Sequence, residues 1–278
     1  MITAFTRAAL CFVLACGIAG TLAGQEPDAP TEAERAARLK EAEAHIAGLK
    51  MALAGKDEEV KPIERPLLVY GDTARSNADG TVWAWGPAGR PLVLMETYRN
   101  TYAQKNRVNA ITLTSTERVV LRSPSGHTWE PQKTQVEFKP LAAAAAPDAR
   151  EAGRLRQLRE LARRFTAHEF WDPDNSRFEL RLLAQPVHRY SAERTGLLDG
   201  AVFVLANGTN PEVVLLIEAV SAAGNSSAKW QYALARLGSA ELHVMIDGAE
   251  AWKQDRTPGV VGQPSDPYWL FITPRPVE

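Results

Sequence analysis

Apolar residues recur at two different spacings along this chain, and the change of spacing marks its elements. Leu39, Ala42, Ile46, Leu49 and Leu53 follow one another at steps of three and four, which places them on one side of a helix. Thr31 stands three residues before Glu34, a capping-box start, and Gly55 marks the expected end. Lys40 and Glu41 face the other way. Two heptads are short for a coiled coil, so the helix is expected to dock on its own domain or to stand off as a spacer. The charged stretch Lys56–Pro66, with Pro62 inside it, reads as a linker. A second apolar run, Leu155, Leu158, Ala162 and Phe165, predicts a helix over 147–168, with Asp148 and Glu151 as its cap pattern.

Elsewhere the spacing shortens to that of strands. Thr81–Trp85, a turn through Gly86–Gly89 and Leu92–Tyr98 read as one hairpin; Ala201–Ala206, a turn through Asn207–Pro211 and Val213–Ala219 read as another. Ala110–Thr114, Arg118–Arg122, Phe178–Leu183, Tyr232–Leu237 and Glu241–Ile246 add strands. The apolar Tyr268–Ile272 predicts an edge strand in a tail rich in Pro and Gly. Both hairpins are apolar on both faces, with Trp83 and Trp85 opposing Val82 and Ala84, and Phe203 and Leu205 opposing Val202 and Val204. Sheets of that kind are covered twice.

The two hairpins belong to a repeat. Pro66, Tyr70, Asp79, Gly80 and Val82 return as Pro186, Tyr190, Asp199, Gly200 and Val202, and Trp83 meets Phe203. A shift of two more residues brings Leu94 and Glu96 onto Leu216 and Glu218. That shift implies a second turn two residues longer, an insertion that keeps each side chain on its face. The expected fold is α+β, with two antiparallel β-meanders related by internal duplication, joined by a helix and preceded by a spacer helix. Its parts are an N-terminal helix and linker (25–64) and a single duplicated domain (65–278). Within the domain lie copy one (65–132), the linking helix (147–168), copy two (178–255) and the tail (256–278).

The first residues add a location. Arg7 precedes the small and apolar run Ala8–Ala23, and Thr21–Ala23 offers a cleavage site, so 1–24 reads as a signal peptide and the protein as exported, periplasmic or secreted. The alternative is a lipoprotein box at Val13–Cys16, and membrane association is expected only if Cys16 is lipidated. Cys11 and Cys16 are the two cysteines of the chain. A mature protein without them has no disulfide, thiolate nucleophile or cysteine metal site. Loss of Arg7 takes the net charge from −1 to −2, a balance that argues against a nucleic-acid partner.

The run Phe170–Asp174, Arg177–Arg181, Pro186, His188–Tyr190, Leu198–Ala201 and Asn207–Val213 resembles a family of exported bacterial proteins with no assigned function. The resemblance implies a recurring module and carries no chemistry with it.

Candidate chemistry is sparse. Glu96 and Glu218 are the sharpest pair, since two carboxylates about 5–10 Å apart serve as acid and base in most glycosidases. Their ordinary role is to end a strand or to pair with arginine. Asp79-Gly80 and Asp199-Gly200 read as turns in which glycine supplies the positive φ. Asp172, Asp174 and Ser176 have alternate spacing but lack the glycine and distal glutamate of a calcium loop. The five histidines, at 45, 127, 168, 188 and 243, show no metal-binding spacing. No serine-hydrolase elbow or nucleotide loop occurs, so neither metal nor cofactor is expected. The arginines from Arg150 to Arg164 read as a solvated helix face.

Of the seven tryptophans, Trp83, Trp85 and Trp230 suit a core, while Trp129, Trp171 and Trp252, near turns, are candidates for stacking on a ligand such as a sugar ring. The leading expectation is an exported, non-enzymatic structural or binding module of the cell envelope, whose partner is an unknown protein or glycan. The alternative is a hydrolase of envelope or extracellular polysaccharide that uses Glu96 and Glu218.

Overall fold

In a computed structural model of the chain, the described residues are 31–56, 58–72, 77–86, 89–100, 106–172, 174–221, 228–259 and 261–274. The segment 1–24, expected to be a signal peptide, and Cys16 within it lie outside them. Among the described residues the protein consists mostly of antiparallel sheets, with two α-helices. No helix among them is long and apolar enough to cross a membrane.

Helix α1 (Glu32–Gly48) starts at the capping box: Glu34 N–H donates to Thr31 Oγ1 at 3.2 Å and Thr31 N–H to Glu34 Oε2 at 2.7 Å. It stops at Gly48, before the expected Gly55. Lys50–Leu53 instead form β1, paired with β6 (Val119–Arg122) from Lys50↔Arg122 to Leu53↔Val119. The strand partner, remote in sequence, overrides the helical spacing of Leu49 and Leu53. Nor does α1 stand off as a spacer. Ala42 and Ile46 are buried in a core with Met51, Trp83, Trp85 and Met95. The expected linker is also laid down in order, since Ile63 N–H donates to Ala84 O and Leu67 N–H to Val82 O.

The second helix, α2 (Glu151–Ala162), is shorter than expected for the same reason. Phe165–Trp171 form β9, held between β10 (Ser176–Leu182) and β15 (Glu241–Ile246). Each helix therefore leads within two or three residues into a strand, and each covers the outer face of a sheet. Leu158, Leu161 and Ala162 of α2 pack with Phe203, Leu205 and Leu215.

The first sheet has the order β17 (Tyr268–Pro274), β5 (Asn106–Leu113), β4 (Val93–Asn100), β3 (Asn77–Trp85), β2 (Leu68–Asp72). The tail is thus the edge strand expected of it. The second sheet runs β16 (Ala249–Gln254), β15, β9, β10, β12 (Leu197–Asn207), β13 (Asn210–Val220), β14 (Lys229–Arg236), β8 (Lys139–Pro140), with β11 (His188–Ala192) also on β12. A small third sheet joins β1, β6 and β7 (Thr128–Trp129). The two main sheets share a middle core that includes Val82, Ala84 and Leu94 from one and Val202, Val214 and Leu216 from the other. Both are covered on both faces, as the two-sided apolar strands require.

Backbone contacts recur 120 residues on. The bonds Ile63→Ala84 (2.8 Å) and Leu67→Val82 (2.7 Å) return as Leu183→Val204 (2.9 Å) and Val187→Val202 (2.8 Å). Tyr70↔Gly80 returns as Tyr190↔Gly200, and Trp85↔Val93 as Leu205↔Val213. The second hairpin loop is therefore not two residues longer. Pro211 and Asn210, which read as turn residues, instead extend the ladder past a bulge as Ala206↔Pro211 and Asn207↔Asn210. With equal loops, Glu96, opposite Val82, shares its register position with Leu216, opposite Val202, while Glu218 corresponds to Tyr98.

Candidate functional site

The Asp-Gly steps tie each helix to a sheet. Asp79 accepts from Arg38 of α1 at 2.8 Å and from Arg99; Asp199 accepts from Arg154 of α2 at 3.0 Å and from Arg189 at 2.6 Å. Each helix is thus tied by an arginine to its own sheet. The positive φ belongs to Asp79 (58°) and not to Gly80 or Gly200. Those glycines are needed for space, because a Cβ at either would overlap the ring of Tyr70 or Tyr190 lying across it.

Each tyrosine then reaches a glutamate. Tyr190 Oη donates to Glu218 Oε1 at 2.9 Å, straight across the ladder. Arg90, from the loop of the other sheet's hairpin, adds Nε–Oε1 at 2.6 Å and Nη2–Oε2 at 2.7 Å, and Gln231 Nε2 donates at 2.8 Å. The guanidinium lies 4.0 Å over the ring of Phe138. Glu218 is completely buried and its carboxylate is saturated.

The corresponding place on the first sheet is open. Tyr70 Oη is hydrogen-bonded to Glu96, one same-face step along β4, and donates to Asn210 Oδ1 at 3.1 Å. Asn210 Nδ2 in turn donates to Glu212 Oε1 at 2.5 Å. Glu96, Asn210 and Glu212 line a cleft of about 640 Å³. Its described lining carries five carboxylates, Asp72, Glu96, Glu169, Asp172 and Glu212, and neither lysine nor arginine. Asn207 Nδ2 holds Glu169 Oε1 at 2.6 Å. Aromatic walls come from Tyr98, Trp171, Phe178 and Tyr268.

Burial, with a smaller contribution from the charge of Glu212, pushes the Glu96 carboxyl well above the usual carboxylate range. Burial also raises Tyr98 and Tyr268, so both keep their hydroxyl protons for donation. The cleft offers acceptors, phenol donors and ring faces around one carboxyl that keeps its proton to unusually high pH.

Glu96 lines the cleft, whereas Glu218 is buried under Arg90 and is not among the described lining residues. Trp129 is no surface platform. It is fully buried beneath the first sheet's outer core, and its Nε1 donates to Asp266 O at 2.9 Å. Trp252 is half-buried against the second sheet's outer core, and Trp171 alone of the three lines the cleft. Arg256 stacks 4.3 Å over Trp171 and pairs with Asp172 at 2.7 Å, so Asp172 serves the rim of the cleft. Trp83, Trp85 and Trp230 are core residues as expected. His168 and His243 stack at 4.7 Å, yet no group of three or more metal-ligating side chains is assembled among the described residues.

Glu169, Asn210 and Glu212 were not singled out in the sequence. The available signal for Glu212 was a carboxylate next to the apolar run Val213–Ile217, whereas Glu96 was singled out through its match to Glu218 in the repeat. No protein-family model, curated protein or solved structure matches this chain.

Proposed function

We propose that this chain is an exported binding module of the cell envelope, built from two copies of one helix-and-sheet unit, with the cleft at Glu96 as its ligand site. Each unit begins with its helix, so α1 and α2 are counterparts and neither is a spacer or a linker. One observation carries the reading: a cleft of about 640 Å³ whose wall includes a buried carboxyl without a cationic partner among the described residues. Sites for small ligands have volumes of roughly 300–1,000 Å³ and a few convergent polar groups on apolar and aromatic walls. The expected export rests on the apolar segment Ala8–Ala23. Mass spectrometry of the mature N-terminus tests it, with a start near Gln25 expected and a lipidated Cys16 counting against it.

Ligand binding is tested by titrating the mature chain with soluble cell-wall oligosaccharides and peptides while following tryptophan fluorescence. Occupancy is expected to change the Trp171 emission, and Trp171→Phe to remove the response. A panel in which no member binds, or one whose members change the emission of Trp171→Phe as much as that of the parent, sinks the reading.

A second reading, hydrolysis of an envelope polysaccharide, is favoured by the charge of Glu212 acting on Glu96. A carboxyl that keeps its proton beside a second carboxylate is the arrangement of a general acid with its base. This pair differs from Glu96 and Glu218. Release of reducing ends that Glu96→Gln abolishes supports it; binding without turnover leaves the module reading in place.

A further inference from the structure

The two tyrosine–glutamate sites differ in one respect that points to a ligand. Arg90 and Asn210 both stand three residues before the pairs that reopen the ladders, Trp85↔Val93 and Leu205↔Val213, in loops of equal length. In one site Arg90 delivers a guanidinium to Glu218 through two parallel bonds, with the ring of Phe138 beneath it. In the other site the equivalent residue is the short, neutral Asn210, which turns its amide to Tyr70 and Glu212. Among the described residues no cation pairs with Glu96. We propose that the cleft receives a guanidinium group from outside, seated on Glu96 as Arg90 is seated on Glu218.

This inference rests on the cleft being the ligand site, and three features of the cleft carry it. Arg256 pairs with Asp172 at the rim, but no described lysine or arginine lines the cleft or pairs with Glu96, so a cation entering there meets no described competitor. A planar guanidinium matches a carboxylate fork and stacks on an aromatic face, which an ammonium does less well. Tyr98 lines the cleft close to Glu96 and supplies an aromatic wall, while the Tyr268 ring already carries Arg236 at 5.2 Å. The cavity, far larger than a guanidinium, leaves room for the body of the ligand, either a free arginine-like amine or an arginine side chain on a polypeptide. Seating a cation also requires Glu96 to give up the proton that burial favours, so uptake releases a proton and tightens as pH rises.

Calorimetric titration of the mature chain tests this with four probes: acetyl-arginine amide, its neutral citrulline counterpart, agmatine, and the tripeptide acetyl-Ala-Arg-Ala-amide. Acetyl-arginine amide is expected to bind about tenfold or more tightly than the citrulline compound, with proton release seen as a dependence of the heat on buffer ionisation. Tighter binding of the tripeptide than of agmatine assigns the guanidinium to a polypeptide, and the reverse assigns it to a free amine. Glu96→Gln is expected to erase the preference for arginine over citrulline. Asn210→Arg, which copies the sealed site, is expected to abolish probe binding and raise the melting temperature, and circular dichroism of both variants confirms that they fold. Equal binding of arginine and citrulline probes, or no binding of either while an oligosaccharide still quenches Trp171, overturns the guanidinium and leaves the cleft as a ligand site. Failure of every probe and every oligosaccharide overturns both.

Discussion

Arg90 grips Glu218 through two nitrogens at 2.6 and 2.7 Å, so a hairpin loop of the first sheet closes a carboxylate buried in the second. The contact ties the two halves of the molecule at a point where the middle core would otherwise hold an isolated charge. Removing one partner of a buried ion pair is far more damaging than removing both, because the survivor stays desolvated. Arg90→Met is therefore expected to destabilise the chain by about 3 kcal/mol, and Arg90→Met with Glu218→Gln to recover most of that loss. Urea unfolding of the single and double variants reads the difference. Equal losses in both would show that Arg90 contributes through packing on Phe138 and not through the pair.

Gly80 and Gly200 are occupied overhead by the rings of Tyr70 and Tyr190. An alanine at either position forces the ring aside, and overpacking of this kind costs about 1–3 kcal/mol. The functional outcomes should differ. Gly80→Ala displaces the tyrosine that bonds Glu96 and so disturbs the cleft, whereas Gly200→Ala disturbs only the sealed site. Thermal melts of the two variants are expected to fall together, with quenching of Trp171 by a cleft ligand lost in Gly80→Ala alone.

His45, near the end of α1, sits where the helix meets the first sheet, with Nε2 2.7 Å from Asn109 Oδ1. Burial lowers its pKa from the ordinary 6.5 to about 4, with Arg107 adding to the effect, and the Asn109 bond and Glu41 opposing it. Between pH 4 and 6.5 the unfolded chain binds the proton more readily than the folded one. Stability is therefore fully present above pH 6.5 and is lost as pH falls towards 4, by on the order of 2 kcal/mol from this residue. His45→Gln should flatten that part of the stability profile, and a proton NMR titration should place the imidazole well below its usual range.

Much of the β-structure was legible because its strands carry apolar residues on both faces and glycine or asparagine at their turns. The start of α1 was legible from Thr31 and Glu34. The helix ends were not. Leu53 and Phe165 both keep the spacing of three and four, yet each belongs to a strand whose partner, β6 or β15, lies some 65 to 80 residues further on. The error recurs because α1 and α2 each run straight into a strand, β1 and β9. Trp129 follows a glycine turn in sequence, but it pairs with Leu121 of β6 and shares a core with Ala42 and Ile46 of α1, so nearness to a turn did not mean nearness to water.

The cleft was half legible. Glu96 stood out through its match to Glu218 in the repeat, but its companions come from β9 and β13, which only the folded sheets bring near. Pairing it with Glu218 rested on a longer second turn, and the ladder registers leave no room for one. Asn210 was hidden further, because its meaning lies in not being the arginine that stands at its counterpart.

Glu96 itself makes the sharpest prediction. Buried without a cationic partner among the described residues, its carboxyl keeps its proton far above the ordinary value. Above pH 4.5 the unfolded chain releases that proton while the folded chain retains it, so this residue costs stability progressively as pH rises towards its folded pKa. Glu96→Gln, which presents a neutral amide of the same shape, should therefore be more stable than the parent at pH 8 and nearly equal to it at pH 5. Glu218→Gln should lose stability instead, since it breaks the bond to Arg90. A buried group whose neutral replacement stabilises the fold has its reason outside the fold, because natural chains retain such costs where function requires them. Urea unfolding of the parent and Glu96→Gln at the two pH values decides the matter. If the difference between them does not grow with pH, Glu96 is ionised in the folded chain and the proton-linked uptake of a cation is wrong.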